Sequence, residues 1–254
     1  MKVDVVIPVL NEAHVIEKSV GRLRAFLADA LNHEWTILIV DNGSTDGTSE
    51  KARQLAQKFS DVRLLRLELR GRGRALREAW MRSEADVVCY MDVDLSTGLE
   101  HLPPLIDAIA VDGYHIATGS RLMRESRVRR SWNREIISQI YNVIVKLMVG
   151  TRFSDAQCGF KAVSRDTVRA IVPQIEDQSW FFDTELLVLA EKQGLRIKDL
   201  PIVWIEDDDS RVKIARTAWD DIKGLLRLRR TLARGLPAPS PGAARQAAVK
   251  RGAL

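Results

Sequence analysis

The strongest constraint on this chain is an alternation: within residues 1–91, four short apolar runs are separated by stretches of helical period. Val3-Asp4-Val5-Val6-Ile7 and the runs 35–40, 62–67 and 86–91 are rich in β-branched and other apolar residues and predict strands. Residues 12–30, 45–59 and 72–83 place apolar side chains at helical spacing and predict helices, with Ser44 and Thr45 as candidate caps of the second. Strands that are apolar throughout and separated by helices predict an α/β fold: one domain with a central, mostly parallel sheet covered on both faces. In such sheets ligands bind beyond the carboxyl ends of the strands. The polar clusters sit there: Asn11-Glu12, Asp41-Asn42-Gly43-Ser44 and Asp92-Val93-Asp94 each follow a predicted strand.

The second half is less regular. Residues 115–119 and 158–163 predict strands, 135–149, 167–172 and 183–193 helices, and 197–205 a further strand. Residues 219–230 predict a basic helix, and the Pro-, Ala- and Gly-rich run over 236–254 predicts a disordered tail. The expected organisation is a body over 1–215, a basic amphipathic helix over 216–235 as a candidate membrane-surface segment, and the tail. The net charge of +5 is modest but uneven: residues 121–134 hold six arginines and one acid. Such patches suit phosphates, nucleic acid or an anionic membrane. Two cysteines, Cys89 and Cys158, give no disulfide framework, which favours a reducing cytosol. The chain passes from Met1 straight into a strand, so no signal peptide is expected. Its longest apolar stretch, 136–149, is interrupted by Ser138, Gln139, Asn142 and Lys146, short of the roughly 20 residues a spanning helix needs.

Four loops carry chemistry. "IPVLNEA", residues 7–13, presents Pro8, Asn11 and Glu12 after a strand; "VDNGSTDGT", residues 40–48, places Asp41 where a carboxylate can accept hydrogen bonds from a base or ribose. Each alone is equally a helix-capping turn. "RGRGRALRE", residues 70–78, joins Gly71, Arg72 and Gly73 to a helix start, where backbone N–H groups and guanidinium suit a phosphate. "MDVDLST", residues 91–97, sets Asp92 and Asp94 one residue apart at the end of a buried strand. Carboxylates this close repel unless a cation sits between them, and a divalent ion taking oxygen ligands would serve.

The order and spacing of these loops resemble the family 2 glycosyltransferases of the GT-A fold, a Rossmann-like fold for nucleotide-diphospho-sugars, over about residues 1–215. The resemblance implies a D-x-D site in which Asp94 binds Mg²⁺ or Mn²⁺ bridging the donor diphosphate, while Asp92 supports the metal and the sugar nucleotide. It implies a donor nucleotide site drawn from Pro8, Asn11, Glu12, Asp41, Gly71, Arg72, Gly73 and Asp92. Further along, "ATGSRL" (117–122), "SDAQCGFKA" (154–162), "WFFDTELL" (180–187) and "SRV" (210–212) resemble segments of dolichyl-phosphate β-glucosyltransferases. Ala156 stands in for a threonine of that pattern. In the phosphate loop Leu69 and Arg72 replace an asparagine and a lysine, and Ala79 and Trp80 stand where a glycine and a small residue are common.

The implied reaction is metal-dependent, inverting transfer of a hexose from a nucleotide sugar, UDP-glucose, to a polyprenyl phosphate. Asp155 would be the base or acceptor-orienting group, acting with Asp94 at the reacting centre, and Arg121, Arg134 and Lys161 would hold the acceptor phosphate. Asp183 and Glu185 could line the same pocket. The alternatives are a GDP-mannose donor, or a soluble or saccharide acceptor. No nucleic-acid partner is expected, and the implied location is cytoplasmic, peripheral on the inner face of the cell membrane.

Overall fold

A computed structural model describes residues 1–205 and 214–235. Its main sheet has seven strands: β1 (Lys2–Val9), β2 (Glu34–Asn42), β3 (Val62–Leu67), β4 (Val87–Met91), β5 (Ile116–Ser120), β7 (Phe160–Ser164) and β8 (Ile197–Pro201), in the order β3-β2-β1-β4-β7-β5-β8. β6 (Arg127–Arg129) and β9 (Val203–Ile205) form a separate parallel ribbon. β7 alone runs antiparallel to its neighbours, with Phe160 opposite Met91 and Lys161 opposite Thr118. That reversal brings the start of β7 to the edge where β1, β2, β4 and β5 end. It is what joins the two halves of the sequence at one rim.

The helices are α1 (Ile16–Ala30), α2 (Thr48–Lys58), α3 (Arg72–Arg82), α4 (Leu102–Ala110), α5 (Trp132–Val149), α6 (Arg165–Ile171), α7 (Phe182–Lys192) and α8 (Ile214–Arg234). Strand side chains alternate between two cores, as the pleat dictates. Val3, Val5 and Ile7 meet Val20, Leu23 and Leu27 of α1 and Leu105 of α4, while Val6, Val88 and Tyr90 meet Trp80 of α3 and Phe182 and Leu186 of α7. The parallel, two-faced sheet is the one the sequence predicts.

Several boundaries move, for local reasons. α1 begins at Ile16 rather than residue 12, because Asn11 has a positive φ of 59° and the N–H groups of Asn11 and Glu12 go to Ser44 Oγ (2.9 Å) and Thr48 Oγ1 (2.8 Å). α2 begins at Thr48; its first-turn N–H is capped by Asp46 (3.1 Å), not by Ser44 or Thr45. The run 197–205 divides at Ile202 into β8 and β9, which belong to different sheets. α4, with Pro103 and Pro104 tolerated in its first turn, lies where the sequence predicts no element.

α8 is longer than the predicted basic helix and packs against α5 and α7. Leu225 and Leu228 are fully buried in the core and Leu232 packs beside it, so this helix shares the core of the body rather than standing apart. Among the described residues no helix is long and apolar enough to cross a membrane. The expected tail over 236–254 and the "SRV" segment lie outside the described residues.

Candidate active site

Asp92 and Asp94 leave β4 in a tight turn. Leu95 takes a positive φ of 54°, the Leu95 N–H donates to Asp92 O (3.2 Å), and the Ser96 N–H donates to Asp94 Oδ1 (2.9 Å). A non-glycine residue in this region costs energy and marks a turn held by its surroundings. The turn makes the two carboxylates unequal. Asp94 is exposed and accepts one hydrogen bond among the described residues, whereas Asp92 is half-buried and paired with Arg72 Nη2 at 2.6 Å. Burial pushes the Asp92 pKa up, Asp94 adds to that, and Arg72 opposes it.

Arg72 is clamped from several sides. Its guanidinium carbon lies 4.7 Å from the Trp180 ring centroid and 5.4 Å from that of Tyr90. Burial disfavours its charge, but Asp92 and its acidic neighbours outweigh this and raise its pKa. Gly159 permits the pair: a side chain there would collide with Asp92 Oδ2 and lie 2.7 Å from Arg72 Nη2.

The phosphate loop differs from expectation. Three of its backbone donors are already taken: Gly71 N–H by Asn42 Oδ1 (2.9 Å), Gly73 N–H by Ser179 O (3.1 Å) and Arg74 N–H by Gln178 O (3.1 Å). Gly71, at φ +150°, packs so tightly on the Gln178 carbonyl that a Cβ would collide with it. The loop therefore offers the Arg72 side chain rather than a cradle of N–H groups.

The base-binding loops are likewise tied to each other. Thr45 N–H donates to Asn11 Oδ1 (2.8 Å), and fully buried Asp41 accepts from Ser44 N–H (3.0 Å) and the Ser49 hydroxyl. Asp41 thus shapes the loop and, being fully buried, is not presented to solvent in this conformation. Pro8 is half-buried on β1 beside Val40, and Glu12 accepts the first turn of α1 through its carbonyl.

Across the rim, Arg121 and Asp155 form a second pair. Asp155 is fully buried and accepts from Arg121 Nε (2.8 Å), Nη2 (3.0 Å) and backbone N–H (3.1 Å). Burial alone would raise its pKa, but Arg121 overrides this and holds it at about 2. Each partner of this pair fixes the other: the carboxylate is fully engaged by the guanidinium and holds it in place. Trp204 closes over Arg121 at 5.7 Å.

Lys161, expected at the acceptor phosphate, is turned inward. It is fully buried and bonds Cys158 O (2.5 Å) and Asp183 Oδ1 (3.0 Å), while Tyr90 also donates to Asp183. Its position on β7, antiparallel to β4, aims it beneath the rim and makes it a brace. Arg134 stands half-exposed in the first turn of α5. Glu185 faces away from the rim, paired with Arg227 of α8 at 2.7 Å. Cys158 is buried, and burial pushes its thiol up to about 12, so it packs and does not attack.

Tyr90, Trp180 and Trp204, which complete this rim, were not singled out by the sequence. Only Gly159, embedded in "QCGFK", hints at the close approach. Among the described residues no three His, Cys, Asp or Glu side chains cluster as a metal site. Two carboxylates on one turn, one of them exposed, nonetheless fit a hard cation that completes its shell with water and phosphate oxygens. Asp94 and Asp92 would hold it, with Arg72 giving way from Asp92.

A mostly parallel sheet with one reversed strand and an acidic turn at its rim is the arrangement of the GT-A fold, and the comparisons give the family. The model of the glycosyl transferase family 2 matches residues 4–172, and the chain belongs to that family. Glycosyltransferase AglD of Haloferax volcanii is 36% identical over 231 residues, covering 89% of this chain but 36% of the relative, so this chain spans only about a third of that protein. The dolichyl-phosphate β-glucosyltransferase of Saccharomyces cerevisiae is 28% identical over 230 residues, covering 83% of this chain and 69% of the relative. Among solved structures, glucosyl-3-phosphoglycerate synthase from Mycobacterium tuberculosis in complex with Mn²⁺ and UDP-glucose superposes with a TM-score of 0.67 at 18% identity. It covers 93% of this chain and 80% of that one. The protein is a glycosyltransferase.

Proposed function

We propose that this glycosyltransferase moves glucose from UDP-glucose to a polyprenyl phosphate at the inner face of the cell membrane, with inversion and with Mg²⁺ or Mn²⁺. The observation that carries the acceptor class is the Arg121–Asp155 pair. A hydroxyl acceptor needs a base to take its proton, and Asp155, fully buried and accepting three hydrogen bonds from Arg121, is already engaged. A phosphate monoester arrives already ionised, because its second pKa is near 6. Its oxygen can attack the anomeric carbon directly as the nucleoside diphosphate leaves on the opposite side, and a single displacement inverts the centre. Catalysis then consists of positioning and charge stabilisation.

Arg121, fixed by Asp155 and Trp204, is the group we assign to the acceptor phosphate, with Arg134 beyond it. Arg72, stacked on Trp180, would move from Asp92 to the departing diphosphate. The metal would supply charge neutralisation at Asp94 and Asp92. The names of the dolichyl-phosphate relatives support the lipid acceptor, and the UDP-glucose complex of the structural neighbour is compatible with the donor.

The test is product analysis with UDP-glucose or GDP-mannose, Mn²⁺, and either a short-chain polyprenyl phosphate or a soluble hydroxyl acceptor. Glucosylated lipid phosphate with free UDP is the expected outcome, its rate rising with the second ionisation of the phosphate. Use of GDP-mannose with UDP-glucose ignored overturns the donor. Transfer only to the soluble hydroxyl overturns the acceptor.

A further inference from the structure

α5 carries apolar residues on its outer face as well as its inner one. Its buried face carries Ser138, Tyr141 and Asn142 beside Val145 and Val149. Its outer face carries Trp132 (83% exposed), Ile136 (46%), Ile140 (54%), Val143 (54%) and Leu147 (81%). These are spaced by four, four, three and four residues, one continuous stripe along a helix of 18 residues, about 27 Å long. Soluble monomers rarely leave a contiguous apolar stripe of this length in water, and one of this kind marks a contact surface. The polar inner face is functional packing: Asn142 Oδ1 accepts from the Ala156 N–H (2.8 Å), the residue next to Asp155. One helix therefore touches the acceptor loop on one side and presents hydrocarbon on the other.

We propose that the outer face of α5 is the surface by which this protein lies on an anionic lipid bilayer. The charge pattern selects that occupant. The segment leading into α5 exposes Arg124, Arg127 and Arg129, Lys146 stands exposed beside Leu147, and the one acid of the helix, Glu135, is neutralised by Arg130 at 2.6 Å. Apolar residues with a tryptophan at one end and cations nearby are the composition of helices that lie in the headgroup region. Neighbouring α8 adds exposed Trp219 and Leu226, while Leu225 and Leu228 of that helix are core residues. The apolar anchor is thus α5, and α8 contributes its rim. With α5 in the interface, the Arg121–Asp155 pair lies about one helix diameter, on the order of 10 Å, from the headgroups. That distance suits an acceptor whose chain stays in the bilayer, and this step rests on the proposed lipid acceptor.

The experiment compares the full chain with an I140Q/V143Q/L147Q variant, in which exposed side chains are replaced by residues that keep the helix. The readouts are flotation with phosphatidylcholine vesicles with and without phosphatidylglycerol, sedimentation velocity, melting temperature, and transfer to a water-soluble short-chain polyprenyl phosphate. The expected result is salt-sensitive binding of the wild type to anionic vesicles, weakened by on the order of tenfold or more in the variant. Its melting temperature and its transfer to the soluble acceptor should be unchanged. Equal binding by the variant, no vesicle binding by the wild type, or a wild-type dimer that the variant splits would each overturn the proposal. Glucosylation of lipid phosphate with variant binding unchanged sinks this surface but not the acceptor. Vesicle binding lost in the variant, with no lipid phosphate glucosylated, sinks the acceptor and leaves the surface standing.

Discussion

The two sides of the rim hold their charges in opposite ways. On the donor side, loops 7–13 and 40–48 are joined through Asn11, Ser44, Asp46 and Thr48, and Asp94 is left exposed. On the acceptor side, ions are buried in pairs: Arg121 with Asp155 at the rim and Lys161 with Asp183 beneath it. Removing an exposed charge leaves nothing stranded, whereas removing one partner of a buried pair leaves the other without water or counter-charge. The donor side is therefore built for exchange of ligands and the acceptor side for fixed geometry. A neutralising substitution should cost activity alone on the first side, and activity together with stability on the second.

The largest effect is expected at Asp94. Asp94→Asn should lower transfer by on the order of a thousandfold or more, since it weakens the hold on the cation that offsets diphosphate charge. Chelation with EDTA should do the same and reverse on adding Mn²⁺. Because the side chain is exposed and opens no cavity, thermal melts of the variant should match the wild type. A melting temperature several degrees lower would break the contrast, showing that the turn at Leu95 depends on the charge.

Next comes Asp155→Asn, where both quantities should fall. Loss of the carboxylate leaves the Arg121 guanidinium buried and underpaired, and denaturant titration should show a loss of about 3 kcal/mol. The pH dependence gives an independent reading. The Asp155 pKa is depressed on folding, so its stabilisation is present above the unfolded value, near 4, and is lost as pH falls through about 2. In the variant that acid slope should flatten. An unaltered slope would mean that Arg121 and Asp155 are not paired in solution.

This contrast also explains what could be read from the sequence. Periodicity finds β1 to β4 and the helices between them because parallel strands under two helical layers are uniformly apolar. The same logic locates Asp92 and Asp94 at a strand end. The fates of Asp41 and Lys161 were not legible. Asp41 sits where a base could meet it, yet the Ser49 hydroxyl and Ser44 N–H, three to eight residues on, take both oxygens. Lys161 lies in a motif that reads as basic and available, but the antiparallel pairing of β7 points it at Asp183. Strand direction decides the case of Lys161 and is not encoded in local spacing, while the case of Asp41 turns on how the start of α2 folds back on the end of β2. α5 was legible as a helix but not in its orientation, which is set by Tyr141, Asn142, Val145 and Val149 packing inward and leaves the other apolar residues outside.

The smallest expected effect tests whether the buried charges extend to α8. Asp221 is buried on that helix, accepts from Gln157 Nε2 at 2.6 Å, and has one oxygen without a hydrogen-bond partner among the described residues. Among the described residues no cation is paired with it, and burial pushes its pKa up to about 7. The sign is opposite to that of Asp155. Between about 4, the unfolded value, and about 7 the native state binds the extra proton, so stability is greatest below this window and declines as pH rises through it. Asp221→Asn keeps the shape and the bond from Gln157 while removing the titration. It should stabilise the protein at pH 8 by on the order of 1 kcal/mol and flatten the curve between about pH 4 and 7. Since Gln157 lies two residues from Asp155, the wild type should also lose acceptor affinity as Asp221 ionises, and the variant should not. A wild-type stability curve that is flat across this window would show that Asp221 is charged throughout. α8 would then belong with the exposed, exchangeable side of the molecule rather than with the buried pairs.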